Sequence, residues 1–108
     1  MTAYAVGRFH EIEMGPEIVD YLHAIDATLA PFEGRFLVHG GRPTVLEGSW
    51  PDDLVVIAFP DLQRAQDWYR SPAYQRILPL RLPRAKGDVI LIDGVDADHR
   101  ATDILQAA

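Results

Sequence analysis

A chain of 108 residues and 12.1 kDa has room for one compact domain, and 48% hydrophobic against 24% charged residues excludes disorder over most of its length. The formal net charge of -6, with Lys+Arg 10 against Asp+Glu 16 and no local basic cluster, argues against a nucleic-acid partner. Without Cys, the chain cannot form disulfides, thiolate nucleophiles or Cys-ligated metal sites.

Ala3 to Glu11, with Tyr4, Val6 and Phe9 among small and polar residues, reads as a strand whose two faces differ. Gly15 and Pro16 open a helix to about Ala30, because proline lacks an N–H that the first turn would leave unpaired, and Glu17 suits the positive end of the helix dipole. Ile18, Tyr21, Leu22, Ile25 and Leu29 form its apolar stripe. Pro31 ends that helix and Gly34 opens the next turn.

Arg35 to His39 alternates with a period of two and predicts a second strand, broken by Gly40 and Gly41. A Gly- and Pro-rich connection follows from Arg42 to Asp53, in which Val45 and Leu46 are expected to pair briefly. Leu54 to Phe59 is an unbroken apolar run, the pattern of a strand buried on both sides. Pro60 and Asp61 stop it and cap a second helix, with Leu62, Ala65, Trp68 and Tyr69 on one face. Ser71 and Pro72 end the helix, an irregular stretch runs through Tyr74, Leu78 and Leu82, and Asp88 to Ile92 forms the last strand. Residues 1–95 are the expected domain. Residues 96–108 are a polar tail that frays or forms a short helix around Ile104 and Leu105.

This order, strand, helix, strand, strand, helix, strand, is the split βαβ pattern of an α+β, ferredoxin-like antiparallel sheet with both helices on one face. Two helices cover one face only, yet Leu54, Val56 and Ala58 oppose Val55, Ile57 and Phe59, and Ile90 and Ile92 oppose Val89 and Leu91. Several hundred Å² left wet on each copy would forfeit on the order of 10 kcal/mol for a pair, at ~25 cal/mol per Å². A homodimer joined through its sheet faces is therefore expected. The open alternative is a monomer covered by the Arg42 to Asp53 loop and the tail.

Phe59-Pro60, Ala65 and the run Trp68-Tyr69-Arg70-Ser71-Pro72-Ala73-Tyr74-Gln75 resemble the signature of a bacterial family of unknown function in the dimeric α/β-barrel superfamily. Gly40-Gly41, Leu46-Glu47-Gly48 and Trp50 are similar to that family's middle loop. The resemblance spans about Ala3 to Gly94 and implies a ferredoxin-like protomer whose sheet meets a second copy face to face in a barrel. It implies no particular reaction. Gly15-Pro16 departs from the family's usual Asp-Pro, and His39 stands where Arg or Lys is common.

In this topology the first two strands are parallel and flank the third, ~9.6 Å apart, so His10 and His39 come to one edge. Strand parity pairs Arg8 with His10 and Arg35 with His39. If both pairs face the barrel, two imidazoles and two guanidiniums could hold a carboxylate or enolate and move a proton. The candidate catalytic residues are His10, His39 and Glu47. The candidate ligand-binding residues are Arg8, Arg35, Arg42, Trp50 and Tyr74. Edge histidines, rim ion pairs of Arg8 and Arg35, and a loop anchored by Glu47 are the structural alternatives, and Trp68 and Tyr69 are expected in the core.

No close-spaced His/Asp/Glu motif suggests a metal, and Gly40-Gly41 lacks the Lys and helix of a phosphate loop. The expected function is cofactor-independent binding of a small molecule, with proton-transfer or oxygen chemistry on an organic acid or aromatic. A non-catalytic ligand-binding or dimerisation module is the alternative, and haem on His10 or His39 is a third. No apolar run reaches the ~18 residues of a membrane span and no signal core opens the chain, so no membrane partner and a cytoplasmic location are expected.

Overall fold

Small residues at every second position orient the first strand. In β1 (Ala3–His10), Ala3, Ala5 and Gly7 are buried while Tyr4, Val6 and Arg8 stand on the other side. The narrow side lies beneath the helices, where the layers approach closely. β1 pairs antiparallel with β3 (Asp53–Phe59) and β4 (Lys86–Asp93), and β3 pairs antiparallel with β2 (Arg35–His39), in the order β2-β3-β1-β4. This computed structural model describes residues 1–106; the last two residues of the expected tail, 107–108, lie outside the described residues. The fold is α+β and ferredoxin-like, with the helices on one face.

α1 (Pro16–Leu29) begins with Pro16 in its first turn and buries Ile18, Tyr21, Ile25, Thr28 and Leu29. Leu22, expected in that stripe, is largely exposed. A 3-10 turn at Ala30–Phe32 carries the chain around to Glu33, whose left-handed φ of 57° reverses it into β2. α2 (Leu62–Arg70) is capped by Asp61, whose carboxylate accepts the Arg64 N–H at 2.8 Å. Ala65 and Trp68 are buried; Tyr69 is partly buried against the core.

The stretch after Ser71 is helical, which corrects the irregular connection expected there. α3 (Pro72–Arg81) starts where α2 stops, and Ser71 serves both ends. Its hydroxyl donates to the Trp68 carbonyl at 2.7 Å and accepts the Tyr74 N–H at 3.2 Å. Pro72 is the first helical residue, where its missing N–H costs nothing. Pro79 sits inside the helix on its exposed side, while Tyr74, Leu78 and Arg81 form the buried stripe.

Val45 and Leu46 form no strand pairing among the described residues, and the loop from Gly41 to Pro51 is exposed throughout. The tail contains a 3-10 turn at Ala101–Gln106 with Ile104 and Leu105 exposed.

Phe59, 1% exposed, packs on Trp68 with ring centroids 5.4 Å apart. The Trp68 indole N–H donates to Thr28 Oγ1 at 3.0 Å, and Thr28 in turn donates to the Ile25 carbonyl at 2.6 Å, so this buried polar chain is satisfied. Among the described residues no helix lies over the other sheet face. Tyr4, Val6, Leu54 and Val56 are only partly buried there, and Ile90 and Ile92 are 52% and 50% exposed.

Candidate functional site

The parity expected in β2 fails at one residue. Phe36 pairs with Ile57 and Val38 with Val56, so Leu37 is the extra residue of a bulge. Arg35, opposite Ala58, stands on the open face, whereas His39, opposite Val55, stands on the helix face. The His39 ring stacks on Phe36 with centroids 4.2 Å apart and planes 15° apart. The expected pairing of Arg35 with His39 on one face is thus overturned, because the bulge turns the rest of the strand over.

The eight candidates fall in three places. On the open face, Arg8 and His10 share Asp52: Arg8 Nε lies 3.3 Å from one carboxylate oxygen and His10 Nδ1 3.4 Å from the other. Arg8 also reaches Asp88 at 3.3 Å, whereas Arg35, opposite Ala58 and level with Tyr4, stands on the same face toward the other end of the sheet. In the loop, Arg42, Glu47 and Trp50 line an open groove of about 650 Å³ that His10 does not reach. Beneath the helices, His39 and Tyr74 line a cleft between sheet and helices.

That cleft exists because Ala5 and Gly7 offer no side-chain bulk opposite α1 and α3. The Phe9 ring lies back over Gly7, where any Cβ would collide with it. Two hollows of about 70 and 220 Å³ remain, and Phe9, Tyr21, His39, Val55 and Arg81 line both. Arg81 is 7% exposed. Its guanidinium carbon lies 5.0 Å from the Phe9 ring centroid and 5.9 Å from that of Tyr21. Among the described residues no carboxylate comes within ion-pair distance of it, whereas Arg84, one turn on, takes Glu17 at 3.3 Å.

The Tyr21 and Tyr74 hydroxyls are 2.7 Å apart. Burial, reinforced by Tyr74, pushes the Tyr21 hydroxyl well above the ordinary tyrosine range, so it stays protonated. Burial opposes the Arg81 charge, but the facing hydroxyls of Tyr74 and Tyr21 outweigh it and hold its pKa above the usual arginine value. The cleft therefore presents a fixed cation, phenolic donors and an imidazole at its mouth. That set can bind an anion and exchange a proton with it. No group of three His/Asp/Glu placed to hold a metal occurs among the described residues.

Tyr21, Phe9 and Arg81 were not candidates from sequence. Tyr21 was read as core, and Arg81 fell in the stretch read as irregular. The available signal was the spacing of Tyr74, Leu78 and Arg81, which continues an apolar helical stripe with an arginine.

Among solved structures, the chain resembles protein RPA0582 of unknown function from Rhodopseudomonas palustris, at 14% identity and TM-score 0.63, covering 88% of this chain and 83% of that one. A dimeric ferredoxin-like protein of unknown function from Jannaschia sp. CCS1 matches at 13% identity and TM-score 0.65, over 87% of this chain and 100% of that one. SnoaB, a cofactor-independent oxygenase from Streptomyces nogalater, matches at 13% identity and TM-score 0.59, over 92% and 98%. These likenesses establish the fold. No curated protein matches the chain. No helix among the described residues is long and apolar enough to cross a membrane. Residues 2–95 match the domain of unknown function DUF1330, and the chain belongs to that family.

Proposed function

We propose that this protein is a small-molecule-binding domain that works as a homodimer, with the ligand held between sheet and helices and the open sheet face forming the subunit contact. The observation that carries the reading is Arg81, a buried guanidinium in a cleft with no carboxylate partner among the described residues. Phenol dipoles and ring faces hold this buried cation but no counter-charge among the described residues pairs with it, so an anion entering the cleft gains a full charge pairing. His39, at the mouth, supplies a proton-transfer group for cofactor-independent chemistry, and the Tyr21–Tyr74 pair supplies hydrogen-bond donors. SnoaB, a cofactor-independent oxygenase of the same fold, makes oxygen chemistry the finer enzymatic version of this reading.

Apolar side chains on a face without a helix support the dimer, as does the dimeric description of the Jannaschia protein. In this assignment residues 1–95 form the domain and 96–108 an appended tail. Arg8, His10 and Arg35 border the subunit contact; Arg42, Glu47 and Trp50 belong to the loop groove; His39 and Tyr74 serve the cleft. The function is exercised in the cytoplasm and involves neither nucleic acid nor membrane.

Sedimentation at micromolar concentration is expected to give twice the 12.1 kDa chain mass, and a monomer would overturn the dimer. A screen of small organic acids by protein NMR is expected to shift the resonances of Phe9, Tyr21 and Val55. Shifts confined to other regions would overturn the cleft.

A further inference from the structure

We infer that the cleft beneath the helices is a receptor for a small organic monocarboxylate with an apolar body, its carboxylate seated on Arg81. The inference rests on reading that cleft as a ligand site and adds the class of ligand. Charge is the first argument. The cleft holds one buried cation, and Asp53 borders the larger hollow. One anionic charge completes the pairing; a second would be buried without compensation and next to a carboxylate. That disfavours a phosphate monoester, which carries about -1.5 to -2 at neutral pH.

Geometry supplies the second argument. A guanidinium fork matches the two oxygens of a carboxylate. The Tyr21 and Tyr74 hydroxyls carry two hydrogens between them, and only one lies along their 2.7 Å contact. The other is left to donate to a carboxylate oxygen.

Size and walls supply the third. The larger hollow, about 220 Å³, falls below the roughly 300–1,000 Å³ of pockets that hold drug-sized ligands, so it suits a single ring or a short branched chain. Ile12, Met14, Ile18, Leu22 and Val55 line it, so the body that follows the carboxylate must be apolar.

Calorimetric titration of the full chain with benzoate, benzamide, benzylamine and phenyl phosphate tests this with one ring and four different head groups. Benzoate is expected to bind at least about tenfold tighter than each of the others, with NMR shifts at Phe9, Tyr21 and Val55. Arg81→Met should weaken benzoate by about tenfold or more and leave benzamide within about twofold. If that variant fails to fold, the preference of the native protein for benzoate over benzamide decides the matter alone. Equal or tighter binding of benzamide or benzylamine in the cleft would overturn the ligand class while leaving the cleft a ligand site. Tightest binding of phenyl phosphate would overturn the single-charge argument. If none of the four binds at millimolar concentration, both the class and the underlying reading fail.

Discussion

The two faces of one sheet stand in opposite relations to water. On the helix side, Ala3, Ala5, Ile57 and Phe59 are buried by α1, α2 and α3, and the covering opens near Ala5 and Gly7 under Tyr21, Tyr74 and Arg81 and again over Val89 of β4. On the other side, Val6, Leu54, Val56, Ile90 and Ile92 lie in a broad apolar area that no helix among the described residues covers and that the loop after β2 borders only at Val38 and Leu54. The difference separates two kinds of incompleteness. A small void inside an otherwise finished layer, lined by a charge, is the size of a ligand. A bare layer several strands wide is the size of another protein surface.

Phe59→Ala tests the finished face most severely. It should cost about 3–5 kcal/mol in urea unfolding, because the ring sits against Trp68 and over Gly34 with little room for collapse. On the bare face, Ile90→Lys should change the stability of an isolated protomer by no more than about 0.5 kcal/mol, since that side chain is already half exposed. It should weaken self-association by about a hundredfold, roughly 3 kcal/mol, as read by sedimentation over a concentration series. An unchanged association constant would show that this face is not the contact.

Trp68→Phe sharpens the comparison within the finished face. It removes the only indole N–H that Thr28 Oγ1 accepts and should cost about 2 kcal/mol, of which Thr28→Val would recover a part. The smallest effect is alkaline. Unfolded Tyr21 ionises near its ordinary value of 10.0, while the folded hydroxyl is held protonated first by burial and then by Tyr74. The unfolded state therefore releases a proton that the folded state retains. The contribution is complete below about pH 10 and declines above it by up to about 1.4 kcal/mol per pH unit. Urea midpoints at about pH 9 and about pH 11 should show a smaller decline in Tyr21→Phe than in the native chain.

Much of the fold was legible because its signals are local. The apolar run Leu54 to Phe59, the Pro16 helix start and the Asp61 cap each name their element, and the strand order follows from their sequence. The helix α3 was less visible because Ser71-Pro72 is both a stop and a start, and Pro79 adds a second misleading signal inside the helix. The site was harder to read. Arg8 and His10 do share a face, but Asp52 ties them together outside the cleft. Alternation in Arg35 to His39 carries no mark of the bulge at Leu37, since an extra residue in a short edge strand changes pairing and leaves composition untouched. Arg81 became interpretable only with its neighbours in place, when α1 and β1 put aromatic rings around a charge that α3 had turned inward.

Leu37 gives the sheet a one-residue phase shift, and the consequence is a division of labour between compartments. Upstream of it, β2 sets Arg35 on the open sheet face; downstream, it sets His39 at the mouth of the cleft beneath the helices. A single inserted residue thus decides which compartment receives the imidazole, so shortening the strand by that residue would relocate an acid–base group without altering its identity.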